Sequence, residues 1–226
     1  MVNENTILCC SFAQKAGSFG CKIHNHAFRF FGLNYIYKSF SVKDIGAAVV
    51  SMRALGIRGA GVTMPFKKTA LFHVDRVDPV VDAVKVTNTI VNDDGVLSAY
   101  NTDYFSVRQV CSVLDRSRSV TILGSGGMAC TCHAAMSDLG FVNIRHVTRA
   151  NWVDILGLRD VIVLNCTPVE VGVHGSNELL DCRVTTRTGQ SLALWQAAYQ
   201  FKLYTQSSAD VNEIRDVMSR AEGVIR

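Results

Sequence analysis

Short apolar runs alternate along this chain with longer stretches in which apolar residues recur at helical spacing. The first run, residues 6–12, predicts a strand, and a glycine-containing loop at 16–20 follows it. A helix over about 22–31, a strand over 34–40 and a helix over about 43–55 come next. The compact run 59–63 predicts a third, fully buried strand that stops at Met64-Pro65.

Two further apolar runs, 86–91 and 96–99, flank Asn92-Asp93-Asp94-Gly95, a tetrapeptide of turn formers, and so predict a β-hairpin. A helix over 102–114 leads into a second series made of strand 119–123, helix 127–139, strand 143–148 and strand 160–166. Helices over about 192–205 and 209–221 complete the pattern. Alternation of this kind points to the α/β class with mostly parallel sheets. With no internal repeat and no low-complexity linker, the pattern alone sets the division. It predicts a lobe of residues 1–105, joined by the C-terminal helices of 190–226, and a shorter lobe of residues 106–189.

Composition narrows the class without changing this picture. The 226 residues are 48% hydrophobic and 19% charged, the balance of a compact folded chain rather than a disordered one. No run approaches the roughly 18 apolar residues of a membrane span. The opening Met1-Val2-Asn3-Glu4-Asn5 lacks a basic and then apolar leader pattern, so a cytoplasmic protein with no membrane partner is expected. A net charge of +4, carried by scattered Lys and Arg, argues against nucleic acid as a partner. The eight cysteines include no CxxC pair and read as reduced, mostly buried small apolar residues rather than disulfides or metal ligands. His24 and His26, two positions apart, fit no common ligand spacing, and no metal is expected.

The predicted strand 119–123 runs directly into Gly124-Ser125-Gly126-Gly127-Met128-Ala129, which satisfies G-x-G-x-x-A. In such a turn the first glycine permits the tight bend and the second lets backbone N–H groups approach a pyrophosphate. The alanine lets helix and strand pack closely. The strand before it and the helix after it favour dinucleotide binding over a purely structural turn. The next strand ends at Thr148-Arg149, where an NAD-binding protein usually carries an acidic residue for the ribose hydroxyls. An arginine there suits the 2′-phosphate of NADP, although it also suits an ordinary exposed strand end.

In the first lobe, Val62-Thr63-Met64-Pro65-Phe66-Lys67 places a hydroxyl and an amine at the C-terminal end of a buried strand, where open α/β sheets bind ligands. Val86-Thr87-Asn88-Thr89 opens the predicted hairpin and Tyr100-Asn101-Thr102-Asp103 closes it, so an amide and a carboxylate can join them. Such a set suits a polyol acid, but Thr63 and Asn88 can equally serve local turn backbone. Lys67 and Asp103 can share acid/base work at an alcohol or ketone, or form a structural ion pair.

Together with Asn165-Cys166-Thr167-Pro168, these motifs occur in the order seen in the shikimate dehydrogenase family, which the chain resembles over most of residues 7–168 and again at about 189–205. The loop 13–20, Ile57-Arg58-Gly59, Asp103-Tyr104 and the stretch 200–205 resemble the branch called shikimate dehydrogenase-like. The resemblance implies a substrate-binding α/β lobe followed by a shortened Rossmann-like dinucleotide-binding lobe. It further implies NADP-dependent interconversion of 3-dehydroshikimate and shikimate, or of a similar cyclic hydroxy acid, by hydride transfer. That reaction belongs to aromatic amino acid biosynthesis. In the resemblance, Lys67 is the acid/base residue and Asp103 its partner, which also holds substrate hydroxyls. Ser18, Thr63, Asn88 and Gln196 bind the substrate. Gly124, Ser125, Gly126, Gly127, Met128 and Ala129, with Thr148, Arg149 and Thr167, hold the cofactor.

Three departures accompany the resemblance. Where the family offers two serines to a substrate carboxylate, this chain has Ser18 and Gly20. The family's Asn-Arg-Thr becomes Thr148-Arg149-Ala150, and the spans 149–160 and 168–196 are short. A binding or regulatory protein that keeps the polyol-acid pocket without efficient catalysis is the competing reading. A NAD-linked quinate dehydrogenase is disfavoured by Arg149. A monomer or a homodimer is expected.

Overall fold

A computed structural model describes residues 2–224; Met1, Ile225 and Arg226, which belong to the predicted first lobe, lie outside the described residues. In chain order the elements are β1 (Ile7–Ala13), α1 (Phe19–Phe30), β2 (Tyr35–Ser41), α2 (Ile45–Ala54), β3 (Gly59–Val62), β4 (Arg76–Val77) and α3 (Pro79–Val84). Then come β5 (Thr89–Asp93), β6 (Val96–Tyr100), α4 (Thr102–Cys111), β7 (Val120–Leu123), α5 (Gly127–Asp138) and β8 (Ile144–Val147). The last are β9 (Ile162–Asn165), β10 (Glu178–Asp181), α6 (Arg187–Thr205) and α7 (Val211–Ser219). Two 3-10 segments, Thr69–His73 and Arg149–Gly157, complete the set. The chain forms two compact units, residues 2–102 with 194–224, and residues 103–193.

The first unit holds a six-stranded sheet in the order β2-β1-β3-β5-β6-β4. β1 pairs in parallel with β2 and β3, and β4 with β6, while β3–β5 and β5–β6 are antiparallel, so the sheet is mostly parallel with β5 reversed. The hairpin returns the chain in β6 to the direction of β3 and β4. Asp94 and Gly95 both take positive φ, the geometry of a two-residue turn whose twist matches the strands, while the predicted turn residues Asn92 and Asp93 stay in β5.

Local chemistry accounts for the helices. Asp44 caps α2 through Ala47 N at 3.0 Å, and Asp78 followed by Pro79 starts α3. α1 buries Ile23, His24, Ala27 and Phe28 on one face, against a cluster that includes Phe201, Tyr204, Val217 and Met218 from α6 and α7. β3 is buried throughout, and Gly59 is obligatory in it. A Cβ at that position would stand 2.1 Å from Tyr204 Cδ1.

The second unit holds a four-stranded, wholly parallel sheet in the order β10-β9-β7-β8. A doubly wound nucleotide-binding sheet has the order 3-2-1-4-5-6. The described strands reproduce its 2-1-4-5 centre, with β7 in the first position and the 3-10 segment carrying the chain from β8 to β9. Elements too short for periodicity to register, β4, α3, β10 and the two 3-10 segments, are the ones that the apolar pattern misses.

All eight cysteines are free thiols. Cys9, Cys10, Cys111 and Cys132 are buried, whereas Cys21, Cys130, Cys166 and Cys182 are half-buried. No helix among the described residues is long and apolar enough to cross a membrane.

Candidate active site

In the first unit the polar groups gather where β3 meets the hairpin. Asn88 lies at their centre. Its Oδ1 accepts from Thr102 N at 2.7 Å and from the Thr89 hydroxyl at 2.9 Å. Its Nδ2 donates to Thr102 Oγ1 at 3.0 Å and to Gln196 Oε1 at 3.2 Å. Gln200 reinforces the cluster from α6 by donating to Thr89 Oγ1 at 2.9 Å and to the Asn88 carbonyl at 3.3 Å. Asn88, Thr89, Thr102 and Gln200 are buried, so their bonds must be met from within the protein, whereas Gln196 is half-buried.

Backbone bonds tie the segment 63–67 to the same place. Val62 N donates to Asn88 O at 2.7 Å, Thr87 N donates to Lys67 O at 2.9 Å and Phe66 N donates to Thr63 O at 2.9 Å. Thr63 is exposed and Lys67 half-buried. Ser18 is the N-cap residue of α1, yet its side chain makes no capping bond. Thus Thr63, Lys67, Asn88 and Gln196 share one unit, with Asn88 and Gln196 in direct contact. Asp103 opens the second unit in the first turn of α4, a position that favours an anionic side chain. Its carbonyl accepts from Ser106 Oγ at 2.8 Å, and its side chain is buried.

Hydroxyls that the motif search missed lie beside this cluster. Ser11 and Ser39 pair at 3.0 Å across β1 and β2, and Cys21 Sγ lies 3.2 Å from Ser39 Oγ. A Cβ on Gly61 would stand 3.0 Å from the Tyr37 hydroxyl and 3.3 Å from Gln200 Nε2. The signal for these groups is strand alternation. Ser39 is the residue paired with Ser11 in the parallel β1–β2 register. His24, stacked on Tyr37 at a centroid distance of 4.3 Å, is fully buried, and burial pushes its pKa down to about 3, so it is neutral.

In the second unit, Gly124 takes φ +111, and a Cβ there would stand 3.3 Å from Thr167 Cγ2. Gly126 is the N-cap of α5, has no side-chain capping bond, and would meet nothing within 4 Å of an added Cβ. Ala129 is buried in the helix face that packs on the sheet. The turn therefore combines a bend only glycine tolerates, an open approach to backbone N–H groups and a close helix contact, which fits a dinucleotide pyrophosphate. Ser125 is exposed, and Gly127 and Met128 are half-buried at the helix start.

Thr167 Oγ1 donates to Asn165 Oδ1 at 2.7 Å. Thr148 accepts a capping role with Asn151, its N–H donating to Asn151 Oδ1 at 2.8 Å, and exposed Arg149 begins the 3-10 segment. A groove of about 340 Å³ is lined by Trp152, Val153, Leu156, Val169 and Gly172, among others. His133 and His146 meet at 2.9 Å, and His146 Nδ1 lies 3.5 Å from Gly124 O. This pair joins α5 to β8, so no sequence spacing announces it.

Comparison with known proteins shows what this arrangement is similar to. Residues 16–90 match the shikimate dehydrogenase substrate binding domain. The chain is 42% identical over 151 residues to the shikimate dehydrogenase-like protein of Haemophilus influenzae, a match covering 66% of this chain and 56% of that protein. It is 38% identical over 123 residues to the shikimate dehydrogenase (NADP(+)) of Moorella thermoacetica, covering 52% of this chain and 42% of that one. Residues 16–90 carry the substrate-binding domain of shikimate dehydrogenases, and the chain is similar to these proteins beyond it.

The matched stretch spans about half the length of those curated relatives. A solved shikimate 5-dehydrogenase-like protein aligns with a TM-score of 0.80 at 29% identity, covering 96% of this chain and 99% of that one. The fold is thus that of shikimate dehydrogenases, α/β throughout with a substrate-binding lobe and a Rossmann-like lobe. One departure from the family pattern has a physical reason in this chain. A Cβ at Gly20 would stand 3.3 Å from Tyr37 Cε1, so a serine there requires the aromatic ring to give by a few tenths of an ångström.

Proposed function

We propose that the protein is an NADP-dependent oxidoreductase that interconverts a ketone and an alcohol on shikimate or a similar cyclic hydroxy acid. The observation that carries this reading is the Asn88 cluster, which holds three side-chain amides and two threonine hydroxyls in fixed order beside Thr63 and Lys67. Fixed donors and acceptors of both kinds are what a ligand bearing several hydroxyls requires. The name of the Moorella relative couples the same chemistry to NADP.

In this reading Ser18, Thr63, Asn88 and Gln196 bind the substrate, and Ser18 fits that role because its hydroxyl is not spent on capping α1. Lys67 gives a proton to the ketone oxygen in one direction and takes it back in the other, with Asp103 as its partner and a further ligand for substrate hydroxyls. NADP, when bound, supplies or accepts the hydride. Gly124, Ser125, Gly126, Gly127, Met128 and Ala129 would hold its pyrophosphate at the start of α5. Thr148, Arg149 and Thr167 would also hold the cofactor, with Arg149 suited to the 2′-phosphate. The groove that begins three residues after Arg149 and two after Thr167 has apolar walls suited to a base, with Trp152 as the aromatic surface. The setting is cytoplasmic aromatic amino acid biosynthesis, with the chain acting as a monomer or homodimer.

One observation favours a second reading. Among the described residues the nucleotide-type sheet has four strands, the centre of a doubly wound sheet without its outer pair. A binding or regulatory protein that keeps the polyol-acid pocket is consistent with that reduction. Separate titrations of the purified protein with NADPH and NADH, followed by nicotinamide fluorescence, distinguish the two. Selective NADPH binding supports the enzyme, and binding of neither cofactor together with binding of shikimate supports the second reading.

A further inference from the structure

Three cysteines far apart in sequence converge in the second unit. Cys132 lies on α5, Cys166 directly follows β9 and Cys182 directly follows β10. Their three sulfurs all lie within 4.8 Å of one another, and Cys132 and Cys166 are 3.5 Å apart. The backbone fixes two of them at the same end of neighbouring parallel strands: Cys166 N donates to Leu123 O at 3.0 Å, and Cys182 N donates to Asn165 O at 3.0 Å. Cys132 is fully buried, and the other two residues are half-buried.

The dimensions match a metal site. Three sulfurs bound to one ion at about 2.3 Å stand about 3.8 Å apart in a tetrahedral arrangement and about 4.0 Å apart in a trigonal plane. The spacings here bracket those values, so small side-chain rotations bring all three into range. Thiolate ligands select soft ions and discriminate against magnesium or calcium. Core cysteines acting only as small apolar groups, as Cys9 and Cys10 do, carry no requirement that three sulfurs meet.

We infer that Cys132, Cys166 and Cys182 form a binding site for one thiophilic d¹⁰ cation, copper(I) or zinc(II). The site lies under the glycine turn: the Cys166 carbonyl would be 3.6 Å from a Cβ on Gly124. An ion held there would brace the 165–167 segment against that turn and add to the stability of the unit.

The test is to reduce the purified full chain under anaerobic conditions and load it separately with Zn²⁺ and Cu⁺, each in competition with a chromophoric chelator. The expected result is one ion retained per chain and a higher Tm for the loaded protein. Retention of Cu⁺ alone assigns a trigonal copper(I) site, and retention of Zn²⁺ assigns a tetrahedral site whose fourth ligand comes from solvent. Cys166→Ser and Cys182→Ser should abolish stoichiometric retention, while Cys21→Ser and Cys130→Ala, at the other half-buried thiols, should keep it. In the unsubstituted protein, titration with Cd²⁺ should raise sulfur-to-metal charge-transfer absorption of an intensity matching three thiolates per ion, a readout independent of how the variants fold. Failure to retain either ion, retention unchanged in both serine variants, or a cadmium signal of fewer than three sulfurs would overturn the inference.

Discussion

Gln196 Oε1 accepts a hydrogen bond from Asn88 Nδ2 at 3.2 Å, joining α6 to the entry of the hairpin across 108 residues of chain. Asn88 also serves Thr89 and Thr102, so the two partners differ in what they support. Asn88→Ala should lower stability by about 1–3 kcal/mol because buried groups lose their partner. Shikimate affinity should fall about tenfold or more, equivalent to about 1.4 kcal/mol, in both Asn88→Ala and Gln196→Ala. Urea unfolding and calorimetric titration separate the effects. Unchanged shikimate affinity in both variants would make the cluster scaffold alone.

Lys67→Ala should reduce turnover by about 10²–10⁴-fold with little change in KM, because the proton is needed in the transition state. Steady-state kinetics of shikimate oxidation provide the check. A raised KM at unchanged turnover would make Lys67 a binding residue.

Arg149→Ala should weaken NADPH about tenfold and leave NADH alone, since only the 2′-phosphate distinguishes the two. Equal losses for both cofactors in a fluorescence titration would remove Arg149 from 2′-phosphate recognition.

The polar cluster and the glycine turn were legible to different depths. The glycine turn was readable because each position answers a local demand: the positive φ at Gly124, the open approach at Gly126 and the packing of Ala129 all concern neighbours in sequence. Thr63, Lys67 and Asn88 could be named from strand ends. That Asn88 bonds Gln196, or that Ser11 faces Ser39, depends on which strands and helices become neighbours, and periodicity carries no such information. Gly189 shows the same limit. It stands out as a single glycine in sequence, yet its reason lies in the folded turn before α6, where a Cβ would stand 1.8 Å from the Arg183 carbonyl oxygen.

Gly59→Ala tests the packing of α6 on β3. The added methyl must displace the buried Tyr204 ring, and overpacking of this kind costs about 1–3 kcal/mol. Gly17→Ala, where a Cβ meets nothing within 4 Å, is the control and should leave the urea midpoint nearly unchanged.

His24 makes stability depend on pH. Burial lowers its pKa from 6.5 to about 3, and its interaction with Gln200 opposes part of that shift. The unfolded chain therefore binds a proton between these values that the folded chain refuses. Stability from this group is complete above about pH 6.5 and falls as the pH drops toward 3, at up to about 1.4 kcal/mol per pH unit. His24→Gln should flatten the unfolding free energy across pH 7 to 4 relative to the unsubstituted protein. Parallel curves for the two would place the acid sensitivity elsewhere.

The most direct test of the function is to mix the purified protein with shikimate and NADP⁺ and follow formation of reduced nicotinamide, with NAD⁺ and Lys67→Ala in parallel. The account predicts reduction that depends on shikimate, prefers NADP⁺ and is lost in Lys67→Ala. No reduction with either cofactor, from a folded protein that still binds shikimate, would contradict the enzyme reading and leave a polyol-acid binder.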